Sequence, residues 1–96
     1  KVYSMALFRD FNECKGIVSL MLKDFSEEGQ KRIEDTIKYC EHLEDDADKR
    51  FALTHSVKKE LWDIPIAVDT GFIEYLINRV DELKILIEYK KVNDDE

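Results

Sequence analysis

Residues 41–51, EHLEDDADKRF, place Glu41, Glu44, Asp45, Asp46 and Asp48 ahead of Lys49 with no basic side chain between them. Oxygen ligands gathered this way suit a hard divalent cation, and the same run also suits a solvated helix face. Projection at about 100° per residue separates the two uses. Ile33, Ile37, Cys40, Leu43, Ala47, Phe51 and Leu61 form an apolar stripe, with Glu44 near its middle and Asp48 at its edge. Asp46 points away, and Glu41 and Asp45 flank the stripe. A carboxylate on a core-facing stripe has to be neutralised, hydrogen-bonded or bound to a cation, because an isolated buried charge is costly. Glu44 is therefore the candidate site residue, and His55 projects to the same side. Pairing with a lysine of a neighbouring helix, Lys15 or Lys84, would satisfy Glu44 equally well. Acid pairs four residues apart should arise about five times by chance in so acidic a chain, so the inward phase carries the signal and the spacing does not.

Three amphipathic segments position these residues. The first runs from about residue 3 to 25, with Leu7, Phe11, Cys14, Val18, Met21 and Phe25 spaced alternately by four and three. Ser26 can cap the second, whose first turn holds Glu27 and Glu28, where the helix dipole favours negative charge. That helix is expected to continue over 27–62 and to stop before Pro65, which lacks an amide proton and disfavours helical geometry at Ile64. Asp69 or Thr70 can cap the third, over 70–91, with Phe72, Ile73, Leu76, Val80, Leu83 and Ile87 facing inward. The polar end KKVNDDE is expected to fray. The fold expected is all-α: one domain over residues 1–96, an elongated antiparallel three-helix bundle.

Composition narrows the function classes. The 96 residues suffice for one modest core, and 44% hydrophobic with 39% charged residues describes a folded helical chain. A formal charge of −7 opposes binding nucleic acid through a basic surface. No apolar run approaches the roughly 20 residues of a membrane span and no signal peptide is visible, so a cytoplasmic protein is expected. Cys14 and Cys40 fall on apolar stripes and read as reduced core thiols. Serine-based catalysis, a C-x-x-C motif and a glycine-rich phosphate loop have no support in the sequence.

"IEDTIKYCEHLEDDADKRF" followed by "IPIAVDTGFIEYLINRVDEL" resembles the PhoU family of phosphate-uptake regulators, in particular the branch that accompanies Pit-type phosphate transporters. The matching features are Glu44 with Ala47 and Asp48, then Pro65, then Val80 before Asp81, within residues 30 to 88. The resemblance implies a non-enzymatic regulator or accessory protein of phosphate transport, with a transporter or signalling protein as partner and peripheral association with the membrane through it. It also implies a metal held by Glu44, Asp48 and Asp81, and those ligands do not choose between iron, zinc, magnesium and manganese. His55 would shift the balance toward iron or zinc. The chain holds one three-helix repeat where the family usually has two, which points to a homodimer or higher oligomer, or to a missing segment. Ile85 stands where the family often has a second acid.

Two other readings stand beside it. "RFALTH" resembles the R-x-x-x-x-H signature of HEPN ribonucleases, dimeric helical enzymes, in which Arg50 would stabilise phosphate charge and His55 act as general acid or base. The charge of −7 opposes this, since such an enzyme has to attract a polyanion. The third reading is a purely structural helical interaction module. Tyr39, Leu53 and Val57 project together on the side of the second helix away from Glu44, and this second apolar strip predicts self-association or a partner helix.

Overall fold

The computed structural model describes residues 7–94, which form an all-α structure with no strand. Its five helices are α1 (Phe11–Met21), α2 (Glu27–Cys40), α3 (Asp46–Glu60), α4 (Pro65–Thr70) and α5 (Phe72–Asp94). Short 3-10 turns, Leu22–Asp24 and Leu61–Asp63, finish α1 and α3. The expected start of the first helix at residue 3 lies outside the described residues. Within them α1 begins at Phe11, because extended Asp10 accepts a hydrogen bond from the Glu13 amide and caps the first turn. Ser26 caps α2 as expected, accepting from the Gly29 amide with Glu27 and Glu28 in the first turn.

The expected helix over 27–62 is two helices. Residues 41–45 form the connection, where His42 donates to the Tyr39 carbonyl and Leu43 to that of Cys40. Asp45 is extended and its carboxylate accepts from the Asp48 amide at 3.0 Å, so it starts a new helix instead of continuing the old one. The physical reason is the acidic run itself. Asp competes for backbone donors inside a helix and is stabilised in the first turn by the unsatisfied amides and the dipole. The two helices then fold back on each other. Arg32 meets Glu60, Thr36 meets Ser56 and Cys40 meets Lys49, a descending series that makes α2 and α3 an antiparallel hairpin. Pro65 occupies the first turn of α4, after extended Ile64. Asp69 and Thr70 end α4 instead of capping the last helix. Gly71, at φ 107°, makes the turn into α5, a conformation that favours glycine over any residue with a Cβ.

The core is assembled around α1, which buries Phe11, Cys14, Ile17, Val18 and Met21 against α3 and α5. Ile33 and Cys40 from α2, Leu53, Val57 and Leu61 from α3 and its turn, and Leu76, Val80 and Leu83 from α5 complete it. Ion pairs and carbonyl contacts hold the layers together. Arg79 of α5 binds Asp24 through two bonds of 2.8 and 3.1 Å, and Lys84 donates to the Leu7 carbonyl. The elongated bundle expected from the sequence does not form. A continuous helix over 27–62 would be about 54 Å long, whereas the molecule measures 38 × 35 × 28 Å.

Candidate functional site

The break between α2 and α3 decides where the predicted ligands go. Glu44 lies exposed in the connection, Asp48 is exposed in the first turn of α3, and Asp81 is exposed on α5. The inward position expected for Glu44 required one continuous helix, and the new start at Asp45 removes it. The described residues contain no group of three or more His, Cys, Asp or Glu side chains that could hold a metal ion, so the donor set implied for a metal does not assemble. The cations considered as partners are used elsewhere. Lys15 pairs with Glu41 at 3.2 Å, and Lys84 reaches Glu13 at 4.0 Å besides the Leu7 carbonyl. Two further acids of the run have other tasks: Asp45 caps α3, while Asp46 ties α3 to the start of α1 by accepting from the Phe11 amide at 3.0 Å and pairs with Arg50 at 2.8 Å.

Arg50 and His55 lie on different faces of α3. Arg50 turns toward the chain ahead of α1, where it pairs with Asp46 and donates to the Phe8 carbonyl at 3.1 Å. His55 is exposed on the opposite, outer surface. Five residues turn a helix by about 500°, leaving these side chains some 140° apart, so one copy does not bring the pair to a common substrate atom.

Restarting the helix also exchanges the faces of α3. Leu53 and Val57, assigned by continuous projection to an outer strip, are buried in the core. Phe51, assigned to the inner stripe, is 53% exposed, and Tyr39 of α2 is 60% exposed. These two aromatics rim an outer groove of about 760 Å³ between α2 and α3. Its middle is lined by Ala52 and by Thr36 and Ser56, whose hydroxyls meet at 3.1 Å. His55 stacks on Phe51, with ring planes 8° apart and centroids separated by 6.0 Å.

A charged clasp closes the other end of the groove. Glu60 accepts two bonds from Arg32, at 2.7 and 2.9 Å, although its own side chain is buried. These bonds hold the Glu60 carboxyl below its ordinary value while burial pulls it the other way, and they raise the Arg32 guanidinium in return. Gly29 makes the approach available. A Cβ there would sit 3.2 Å from Glu60 Oε1, tighter than ordinary contact. Sequence reasoning missed the groove because it placed Phe51 inward. The signal that would have found it is Asp45-Asp46-x-Asp48 taken as a helix start instead of a ligand run.

The cysteines are both free and buried. Burial pushes the Cys14 thiol up to about 12, opposed by its 3.9 Å contact with the Thr54 hydroxyl, and Cys40 is also raised by burial. Both are core thiols without nucleophilic character at neutral pH. A second uncovered apolar feature lies on α5, where Ile85, Tyr89 and Val92 are exposed at spacings of four and three. No helix among the described residues is long and apolar enough to cross a membrane. Comparison of the chain with protein-family models, with curated proteins and with solved structures finds no match. The likeness to the PhoU family therefore rests on the quoted residues alone.

Proposed function

We propose that this chain is a non-enzymatic regulator or accessory protein that works as a helical docking module, with the α2–α3 groove as its docking surface. The observation that carries this reading is the pair of exposed aromatics, Tyr39 and Phe51, above a floor of small side chains between two antiparallel helices. Large aromatics left in water cost free energy that a partner's apolar face recovers. Small residues between them let a third helix approach closely, completing a three-helix arrangement with α2 and α3. The charges at the clasp satisfy each other, so this end supplies orientation more than attraction. The dispersed positions of Glu44, Asp48 and Asp81 favour docking over a resident metal. Phosphate transport as the setting comes from the PhoU resemblance, and a partner from such a system would be met at this groove.

The test is a photocrosslinking amino acid at position 51, with the same group at exposed Lys31 as control. Adducts from position 51 that map to one helical segment of one partner, and that fall away in Tyr39→Glu, support the reading. Adducts no different from those of the control site overturn it.

A further inference from the structure

α5 carries two seams. Leu76, Val80, Leu83 and Ile87 turn toward the core, and on the other side Tyr75, Asn78, Glu82, Ile85, Tyr89 and Val92 follow at alternating spacings of three and four. That second series has the a/d pattern of a helix that packs along another helix. Its last three positions are apolar and open, with Ile85, Tyr89 and Val92 70%, 66% and 61% exposed, and exposed Leu86 widens the strip on one side. The other side is a line of acids. Glu74, Asp81 and Glu88 recur every seven residues along one edge of the seam, the place from which charges select a coiled-coil partner. All three are exposed, and none forms an ion pair with another described side chain. Lys84 and Lys91, neighbours of Glu88 at helical spacing, stand about 40–60° further round the helix, where they line the cleft against α1 with Asp10 and Glu13. Toward its N-terminal end the seam opens on a cleft of about 430 Å³ between α4 and α5, where Tyr75, Asn78 and Glu82 face Ile66 and Thr70. Asp24 and Arg79 complete its lining, so this cleft holds two carboxylates against one guanidinium.

We infer that the outer face of α5 docks a basic amphipathic helix of another protein. The partner lays aliphatic side chains along Ile85, Tyr89 and Val92, sets a row of Lys or Arg against Glu74, Asp81 and Glu88, and reaches with a further basic side chain into the α4–α5 cleft. Charge decides the class of occupant. The exposed strip supplies the apolar contact that any helix would find, while the unpaired acidic edge accepts a basic helix and repels an acidic one. A second copy of α5 does not meet this description. In an antiparallel pair the acidic edges face one another, and in a parallel pair they meet Arg79 and Leu86. Arg79 is already held by Asp24 and Glu82, and Leu86 is uncharged. This face is separate from the α2–α3 groove, and the inference does not depend on the groove being a docking surface.

The probe is a fluorescent synthetic helix of three heptads with Leu at a and d and Lys at e and g, whose like charges keep it from pairing with itself. It is titrated with the full chain and read by anisotropy, beside the same helix with Glu at e and g and a scrambled peptide of the basic composition. The basic helix is expected to bind in the micromolar range and both companions at least about tenfold more weakly. Ile85→Asp with Tyr89→Asp should abolish binding. Glu74→Lys with Asp81→Lys and Glu88→Lys should weaken the basic helix about tenfold and turn the preference toward the acidic one. The same charge reversal outside α5, Glu27→Lys with Glu34→Lys and Glu44→Lys, should leave the preference unchanged, as should Phe51→Asp in the groove. All substituted positions are exposed, and circular dichroism confirms that the variants fold. No binding of the basic helix, equal binding of the scrambled peptide, or equal losses from the two charge reversals overturns the inference. So does a wild type that pairs with itself in sedimentation and becomes monomeric in the Ile85→Asp, Tyr89→Asp variant. Binding that is lost in Phe51→Asp and kept in the α5 variants overturns it as well, while supporting the groove as the docking surface.

Discussion

α1 and the C-terminal half of α5 carry the same kind of apolar spacing and meet opposite fates. Every apolar seam position of α1 from Phe11 to Met21 is buried, whereas Ile85, Tyr89 and Val92 of α5 face solvent. Periodicity reports that a helix has a face to cover and says nothing of whether the same chain covers it. α1 is covered because α3 and α5 lie against it, while α5 runs on past Leu83, the last buried one among its described residues. One substitution in both places measures the contrast. Ile17→Ala should cost about 2–5 kcal/mol, since it leaves a cavity among fixed neighbours. Ile85→Ala should stay within about 0.5 kcal/mol in chemical denaturation at concentrations too low for association. Similar losses at both sites would mean that the end of α5 is covered within a single chain.

The two ends of the α2–α3 hairpin give a second contrast, in charge. Glu60 at the clasp is buried and bonded twice to Arg32, while Asp48 in the first turn of α3 is exposed. Arg32 holds the folded-state Glu60 carboxyl below its ordinary value near 4.5, although burial opposes the shift. The unfolded chain then takes up the proton first as pH falls. The stabilisation from this bond is full above about pH 4.5 and is lost as pH drops through the lowered folded value. Glu60→Gln should therefore destabilise at pH 7, by less than Ile17→Ala, and its gap from wild type should close under acid conditions. Urea midpoints measured from pH 7 to pH 3 read it, and a Glu60→Gln gap that widens on acidification would reverse the assigned sign.

Much of this architecture is readable from particular residues. The α1 seam, the cap at Ser26 and the stop at Pro65 each depend on a local rule that tertiary packing leaves intact. The break at residues 41–45 escaped because helical projection assumes a single phase, and Leu43 and Ala47 extend the stripe convincingly across the joint. One wrong phase then moved several residues together. It put Glu44 and Phe51 inside and Leu53 and Val57 outside, which created an apparent buried carboxylate and hid the groove. The clasp was unreadable for another reason. Arg32 and Glu60 are 28 residues apart, and only the antiparallel fold-back makes them neighbours.

The smallest effects discriminate best at the connection, where adjacent acids have different tasks. Asp45 accepts from the Asp48 amide and satisfies one of the free donors that open α3, whereas Glu44 is exposed and outside any helix. Asp45→Ala removes the acceptor and should cost about 1 kcal/mol, with protection of the first-turn amides of α3 falling in hydrogen exchange. Glu44→Gln should leave monomer stability unchanged, because an exposed carboxylate gains and loses almost the same hydration in both states. The reverse order, with Glu44 costly and Asp45 neutral, would restore a continuous helix through residues 41–45. It would carry Glu44 back toward the core and return Phe51 to the inner face, removing the groove at the same stroke. The pair therefore tests the one local feature on which the docking surface depends.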